Sequence, residues 1–277
     1  QFAARFEFAI APETMALCRT LDLVGLARER VMGEMEKALT RSRRPSRCFE
    51  ALREMGQLEP WLKEVAALIG VKQRADCHPE GDAWTHTMLV VDEAAKLRDE
   101  AKNPTGLMLA ALLHDVGKSA AMQEKDGVIH AYGHETAGVP LAEDFLRRLT
   151  GEKALCRYVL NMVELHMKPN MYAAQNSGQK AWNRLFDRSA CPEDLLLLAK
   201  ADHRGRINAA PYAETERTIR ARLSAFEEMM ARPHITGADL LARGIQPGEE
   251  MGRLLEEAHR LRLAGVKKED ALRQMRL

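Results

Sequence analysis

Ala110-Ala-Leu-Leu-His114-Asp115-Val-Gly-Lys118 carries an apolar run into two adjacent metal-capable side chains. Neighbouring helical residues point about 100° apart, so His114 and Asp115 share one site only if the helix ends against it. Gly117 suits a helix stop, and Lys118 adds a cation near the same mouth. Imidazole beside carboxylate fits a hydrolytic divalent metal, and the softness of the pair favours Zn, Fe, Mn or Ni over calcium. A lone pair of this kind fits ordinary helix capping equally well, so the reading depends on further ligands.

Those ligands lie in helical contexts along the chain. His86 follows the cap-like Asp82 in an amphipathic run, and Asp202 ends the run that Pro192 opens. His134 opens a helix after Tyr132-Gly133, and His166 ends another before Lys168-Pro169. His78 precedes a proline and is biased away from helix; it reads as a solvent-exposed loop residue, with approach to the metal site from that loop as the alternative. His130 is assigned to a loop or hairpin around Asp126-Gly127, outside the site. The resulting order, His, His-Asp, His, His, Asp, resembles the HD superfamily of metal-dependent phosphohydrolases, which are all-helical. That resemblance implies one metal held by His86, His114, Asp115 and Asp202, with His134 and His166 completing or supporting a second. The cofactor expected is one or two divalent transition metal ions (Ni, Mn, Fe, Zn or Co).

The composition is that of an ordinary globular chain. Its 277 residues are 46% hydrophobic and 29% charged, with a formal net charge of +1, so nucleic acid contact would have to come from local patches. Aromatic residues make up only 5%, there are 14 methionines, and strand-like alternation is nearly absent, which points to an all-α fold. Five single cysteines, Cys18, Cys48, Cys77, Cys156 and Cys191, show no metal or redox spacing and suit a reducing compartment. With no membrane span or signal peptide pattern, a cytoplasmic location is expected. Gln1 in place of Met suggests a fragment or a processed chain.

Helical segments run through residues 1–57, 58–231 and 232–277, and the resemblance to a known family implies a neck, a metal-bearing body and a tail for them. Within the neck, Arg30 and Glu34 are four apart and share a helix face, as an ion pair requires. Arg41-Ser-Arg-Arg-Pro45-Ser-Arg47 is a basic linker, read either as a solvated loop or as a phosphate contact. Lys168-Pro169 is expected to close a helix, leaving Met171 to Gly178 as loop.

A closer resemblance covers essentially the whole chain. Glu29-Arg30-x-x-x-Glu34, His78-Pro-Glu-Gly-Asp-x-x-x-His86, Leu-Leu-His114-Asp115-Val-Gly-Lys118, Gly133-His134-Glu135, Asp202-x-Arg204-Gly205-Arg206 and Gly237-Ala-Asp-Leu-Leu-x-x-Gly244-Ile-x-Pro247-Gly248 occur in that order. Together they resemble the neck, HD body and tail of the bacterial CCA-adding tRNA nucleotidyltransferase and poly(A) polymerase family. The family's polymerase head, with its glycine-serine loop and Asp-x-Asp, has no counterpart in this sequence, so nucleotide addition is not expected from this chain alone. Glu269-Asp270-x-x-Arg273 only superficially copies a nucleotide-template motif, and reads as an ordinary charged helix.

The resemblance implies a 2',3'-cyclic phosphodiesterase and phosphatase acting on nucleotides or RNA 3' ends, with tRNA and an N-terminal head as partners. Asp115 and Lys118 are the expected catalytic pair, the lysine stabilising charge on a phosphate oxygen. Arg204 and Arg206 are candidate RNA or phosphate contacts, although a basic turn against nearby carboxylates fits them too. Two rival readings are a tRNA-binding scaffold without activity of its own and a free-standing HD nucleotidase.

Overall fold

The computed structural model describes every residue of the chain except Cys77 and Asp126, so the Asp126 half of the expected Asp126-Gly127 turn lies outside the described residues. The described cysteines Cys18, Cys48, Cys156 and Cys191 are free thiols. The fold is all-α apart from a two-stranded antiparallel hairpin, β1 (Gln123–Lys125) and β2 (Val128–His130), paired Gln123 with His130 and Lys125 with Val128. No described helix is long and apolar enough to cross a membrane.

By compactness the chain forms two units. The first comprises residues 1–170 and 189–213, the second residues 171–188 and 214–277. The first unit contains α1 (Phe2–Phe6), α2 (Pro12–Cys18), α3 (Arg28–Arg41), α4 (Ser46–Glu54), α5 (Lys63–Ala66), α6 (Ala83–Leu97), α7 (Pro104–Leu113), α8 (Lys118–Ala121), α9 (His134–Leu149) and α10 (Lys153–Leu165). After α11 (Lys168–Ala174), which runs out of this unit, and α12 (Gln179–Arg188), the chain returns to it with α13 (Pro192–Arg204).

Helix α7 is the axis of the first unit. Every residue from Gly106 to Leu113 is buried, and α3, α6, α10 and α13 pack around it. A helix that is apolar all round must be enclosed on every side. Its start is fixed by Pro104 in the first turn and by Asn103, whose side chain accepts from Gly106 N–H. Beneath that start, the buried carboxylate of Asp194 accepts from the backbone N–H of Lys102 at 2.8 Å, that of Asn103 at 2.9 Å and the Tyr158 hydroxyl at 2.6 Å. Burial and Asp194 together push the Tyr158 hydroxyl well above its ordinary pKa. This satisfied charge ties the beginning of α13 to the beginning of α7, and so sets where both helices end. Gly106 is required there, because a Cβ would lie 2.5 Å from the Tyr158 ring.

The second unit has its own small core. Its helices are α12, α14 (Ala213–Ala231), α15 (Gly237–Leu241), α16 (Glu249–Leu263) and α17 (Lys268–Gln274). Ile235, Leu240, Leu254, Ala258 and Ala271 form one apolar cluster, and Trp182 stacks on Phe186 at 5.5 Å. Thr236 and Asp239 form a reciprocal capping box that starts α15. Glu269 and Asp270 lie in the first turn of α17, where Asp270 pairs with Arg273 on the side of the helix away from the buried Ala271, as expected of an ordinary charged segment.

One boundary differs from expectation. Lys168-Pro169 opens α11 instead of closing a helix, so Met171 to Ala174 is helical and not loop. Proline lacks only an N–H that a first helical turn leaves unpaired anyway, so it initiates as readily as it terminates. The side chain of Asn170 donates to Ala199 O at 2.8 Å and accepts from the Tyr212 hydroxyl at 2.9 Å, fastening the turn.

Candidate metal centre

Five helix ends converge on one buried spot. His86 lies in the first turn of α6 and His134 opens α9, while His114 and Asp115 follow α7, His166 follows α10 and Asp202 lies in the last turn of α13. All six side chains expected from the sequence are therefore together, and all are buried. Asp115 is the hub. Its Oδ2 lies 3.2 Å from His114 Nε2 and 3.8 Å from His86 Nε2, and its Oδ1 lies 3.1 Å from His134 Nε2 and 3.8 Å from His166 Nε2. Asp202 Oδ1 approaches His86 Nε2 at 3.1 Å, and His134 and His166 face each other through their Nε2 atoms at 3.4 Å.

The other ring nitrogens are already committed. Nδ1 of His114 pairs with Ala111 O at 2.9 Å, that of His134 with Ala131 O at 2.8 Å and that of His166 with Val163 O at 2.7 Å, each three residues back. Nδ1 of His86 pairs instead with Glu80 Oε1 at 2.8 Å. A carbonyl can only accept, so each of the first three rings carries its proton on Nδ1 and presents the Nε2 lone pair inward. His114 Nε2 is buried with no hydrogen-bond partner, and Asp115 Oδ2 beside it is met by Lys118 Nζ at 2.6 Å. An orphan such as the His114 nitrogen costs about 1–3 kcal/mol and is rare in folded proteins. Inward lone pairs beside buried carboxylate oxygens are a donor set suited to a divalent ion. The ligating atoms of His86, His114 and Asp115 lie within 4.8 Å of one another, as do those of Asp115, His134 and His166.

The charges are arranged accordingly. Burial opposes ionisation of Asp115, but His114 and Lys118 outweigh it and hold the carboxyl well below its usual range. Burial likewise opposes ionisation of Asp202, and His86 and Arg206 overcome it. Burial drives His166 down to about 3, which keeps that ring neutral. For His86 and His134 burial also favours the neutral ring, yet the adjoining carboxylates raise their pKa.

A cleft of about 210 Å³ opens onto this centre, lined among others by Asp115, Lys118, His134, Asp202 and Arg206. Lys118 Nζ lies 2.6 Å from both Asp115 Oδ2 and Gln73 Oε1, which anchor it at the rim. The two candidate arginines differ in reach. Arg206 meets Asp202 Oδ2 at 3.4 Å and borders both the cleft and a second groove, whereas Arg204 is exposed and borders only that groove, with Arg43, Arg44, Asp92 and Lys96. In the basic linker, Ser46 donates through its hydroxyl to Asp92 at 2.7 Å and Arg44 meets the same carboxylate at 3.4 Å.

Two expectations for histidines are corrected. His78 is not a solvated loop residue: its side chain is 13% exposed, its Nδ1 lies 2.7 Å from Glu80 Oε1, and its ring meets His86 edge-on at 4.6 Å. Burial, then the nearby Lys118 charge, lowers its pKa to about 4. His130 lies on β2 of the expected hairpin, but it borders the cleft that leads to the centre. In both cases the backbone runs past the ligand helices, a long-range fact that local composition does not carry.

Sequence reasoning missed Glu80. Its side chain is fully buried, its Oε1 lies within hydrogen-bond distance of two imidazoles, and its Oε2 accepts from Ile207 N–H at 3.3 Å. The signal was a carboxylate inside the quoted His78-Pro-Glu-Gly-Asp motif, but nothing local marks it as buried. Gly117 is needed for a different reason than expected. It has φ −67°, not a left-handed cap conformation, and a Cβ there would lie 2.0 Å from His134 O and 2.5 Å from Gly138 N. Its missing side chain lets α9 bring His134 against Asp115.

The neck motif also differs in pairing. Glu34 pairs with Lys37 at 2.8 Å and Glu29 with Arg28 at 2.8 Å, and among the described residues no ion pair joins Arg30 to Glu34. Arg30 and Glu34 instead border an apolar cavity of about 230 Å³ with Val31, Phe49 and Trp61.

Residues 83–264 match the family model described as "HD domain", and the chain belongs to that family. Residues 7–69 match a second, described as "Probable RNA and SrmB- binding site of polymerase A". The chain is 38% identical over 279 residues to the Multifunctional CCA proteins of Burkholderia cenocepacia (strain HI2424) and Burkholderia lata, and 34% identical over 282 residues to that of Actinobacillus pleuropneumoniae serotype 5b. These alignments cover 96% of this chain, which spans 63% to 65% of the relatives' length. The resemblance drawn from the motifs, an HD body joined to a polymerase-type neck, is therefore borne out.

Proposed function

We propose that this chain is a divalent-metal-dependent phosphohydrolase, a 2',3'-cyclic phosphodiesterase and phosphatase acting on nucleotides or RNA ends. The observation that carries the reading is the convergence of buried imidazole nitrogens, His114 Nε2 among them without a hydrogen-bond partner, on the Asp115 carboxylate. His86, His114, Asp115 and Asp202 would hold one ion, and Asp115, His134 and His166 a second, drawn from Ni, Mn, Fe, Zn or Co. Bound metal supplies an activated water near neutral pH and a polarised phosphoryl oxygen. The chain's own part is positional and electrostatic. Asp115 divides its two oxygens between the two groups of imidazoles, Lys118 meets negative charge on a phosphate oxygen, and Arg206 borders the approach.

In this reading residues 1–57 act as a neck, 58–231 as the hydrolytic body and 232–277 as the tail. The similarity to Multifunctional CCA proteins supports tRNA 3' ends as the physiological RNA, with a nucleotidyltransferase head as partner. The match of residues 7–69 to an RNA-binding description supports a second reading, a tRNA-gripping scaffold without turnover. Metal analysis of protein purified without chelator, followed by assay on 2',3'-cyclic nucleotides, separates the two. Retained transition metal with hydrolysis is the expected result, and a metal-free, inactive protein that still binds tRNA would replace the first reading by the second. Hydrolysis confined to deoxynucleotides would point instead to a free-standing HD nucleotidase.

A further inference from the structure

The cleft's lining is of two chemical kinds. It includes the charged Asp115, Asp202, Lys118 and Arg206, and also Ile129, His130 and Tyr132. The Tyr132 and His130 rings stack with centroids 4.9 Å apart and planes 20° from parallel. Tyr132 is 83% exposed, the most exposed large hydrophobic residue among those described. Apart from the His130 stack the Tyr132 ring is open to solvent, and its position on a cleft with charged residues points to a ligand with a flat ring.

The platform is tied to the centre. Ala131, next to Tyr132, supplies the carbonyl that pairs with His134 Nδ1. Gly133 then turns the chain into α9 with φ +75°, a conformation that glycine adopts freely. The Cα of Tyr132 is at most about 7 Å from that of His134, two residues on. The cleft's volume of about 210 Å³ is below the roughly 300–1,000 Å³ of pockets that enclose a whole drug-sized ligand. It therefore holds part of a molecule and leaves the remainder on the rim.

We propose that Tyr132, backed by His130, is a base-stacking platform, and that the substrate is a nucleoside phosphate whose base lies on Tyr132 while its phosphate reaches Lys118 and the metal ligands. This rests on the phosphohydrolase reading and adds the substrate's base as a recognised group. A free mononucleotide and an RNA 3' end present the same chemistry, and stacking accepts any base, because every base has a π face.

The test compares the wild-type chain with Tyr132→Ala, Tyr132→Phe and Tyr132→Trp. Substrates are uridine and adenosine 2',3'-cyclic phosphates, an oligoribonucleotide ending in a 2',3'-cyclic phosphate, and glycerol 1,2-cyclic phosphate as a baseless control. Tyr132→Ala is expected to raise KM for the base-bearing substrates by roughly 5- to 150-fold, the usual worth of one stacked base. It should leave kcat and the baseless substrate unchanged, with Phe and Trp retaining the wild-type KM. A markedly lower KM for the oligoribonucleotide than for the mononucleotides assigns the platform to RNA ends, and the reverse assigns it to free nucleotides. An unchanged KM in Tyr132→Ala, or an equal rise for the baseless substrate, overturns the platform. If the wild type hydrolyses none of these substrates, the phosphohydrolase reading fails separately. The platform is then judged by calorimetric binding of adenosine 3'-monophosphate with Mn added: weaker binding by Tyr132→Ala upholds it, and equal or absent binding overturns it.

Discussion

The centre has two sides built by different means. On one side His114, His134 and His166 are each oriented by a carbonyl three residues back in their own turn. On the other side His86 is oriented by Glu80 from a preceding loop and approached by Asp202, 116 residues further on. The first arrangement is local, so the ring is set as soon as its helix end forms. The second depends on the tertiary fold, because two buried carboxylates must arrive from separate segments. Substitutions should therefore act through shared ligands on both sides, through Glu80 on one and through close backbone contact on the other.

The largest effect is expected at the residue both sides share. Asp115→Ala removes the oxygens that face all four imidazoles, so cyclic-nucleotide hydrolysis should fall to background and retained metal should vanish, with the far-UV circular dichroism of the helices preserved. His114→Ala should abolish turnover as well. Activity surviving both changes would mean that the chemistry lies elsewhere.

Glu80→Ala tests the asymmetry directly. Carboxylates that orient a metal-bound histidine typically contribute 10–100-fold to affinity or activity. The loss should concentrate on the ion near His86, so titration should find one site weakened and the site near His166 retained. In Glu80→Gln the amide oxygen still accepts from His86, but an amide N–H2 meets the Ile207 N–H, so an intermediate loss is expected. Equal weakening of both sites would show that the two sides are one unit.

What was legible in the sequence follows the same division. His114 and Asp115 stand side by side, and the remaining ligands each mark a helix end, so order and context were enough to collect all six. Helices α6, α7 and α13 were legible from their caps and apolar runs. Glu80 was not, since a loop glutamate carries no periodicity and its burial depends on His78, His86 and Ile207 arriving from elsewhere. The start of α15 was written in Thr236-Gly-Ala-Asp239, a capping signal not followed by a long apolar run. Pro169 was ambiguous in principle, because proline bounds helices at both ends.

Gly117→Ala probes the locally pinned side. The added methyl would meet backbone, which gives less readily than the tip of a side chain. Overpacking of this kind costs typically 1–3 kcal/mol, occasionally more. Chemical denaturation should show that loss, and the ion near His134 should be held less tightly than the one near His86, the reverse of the Glu80→Ala pattern.

The smallest effects are expected at the arginines that follow Asp202. Arg206 meets Asp202 at 3.4 Å with its side chain 30% exposed, so Coulomb attraction is partly screened by water. Arg206→Gln should lower stability, because the buried Asp202 carboxylate keeps His86 but loses one of the cations that offset its burial. Its clearer signature should be a raised KM for phosphoester substrates, because the cleft loses a cation beside the centre. Arg204→Gln should leave both unchanged, since that side chain faces the groove shared with Arg43 and Arg44. If Arg204→Gln instead weakened binding of a full tRNA while sparing mononucleotide kinetics, that groove and the cleft would serve different parts of one RNA. Arg206, which borders both, would then link grip to chemistry.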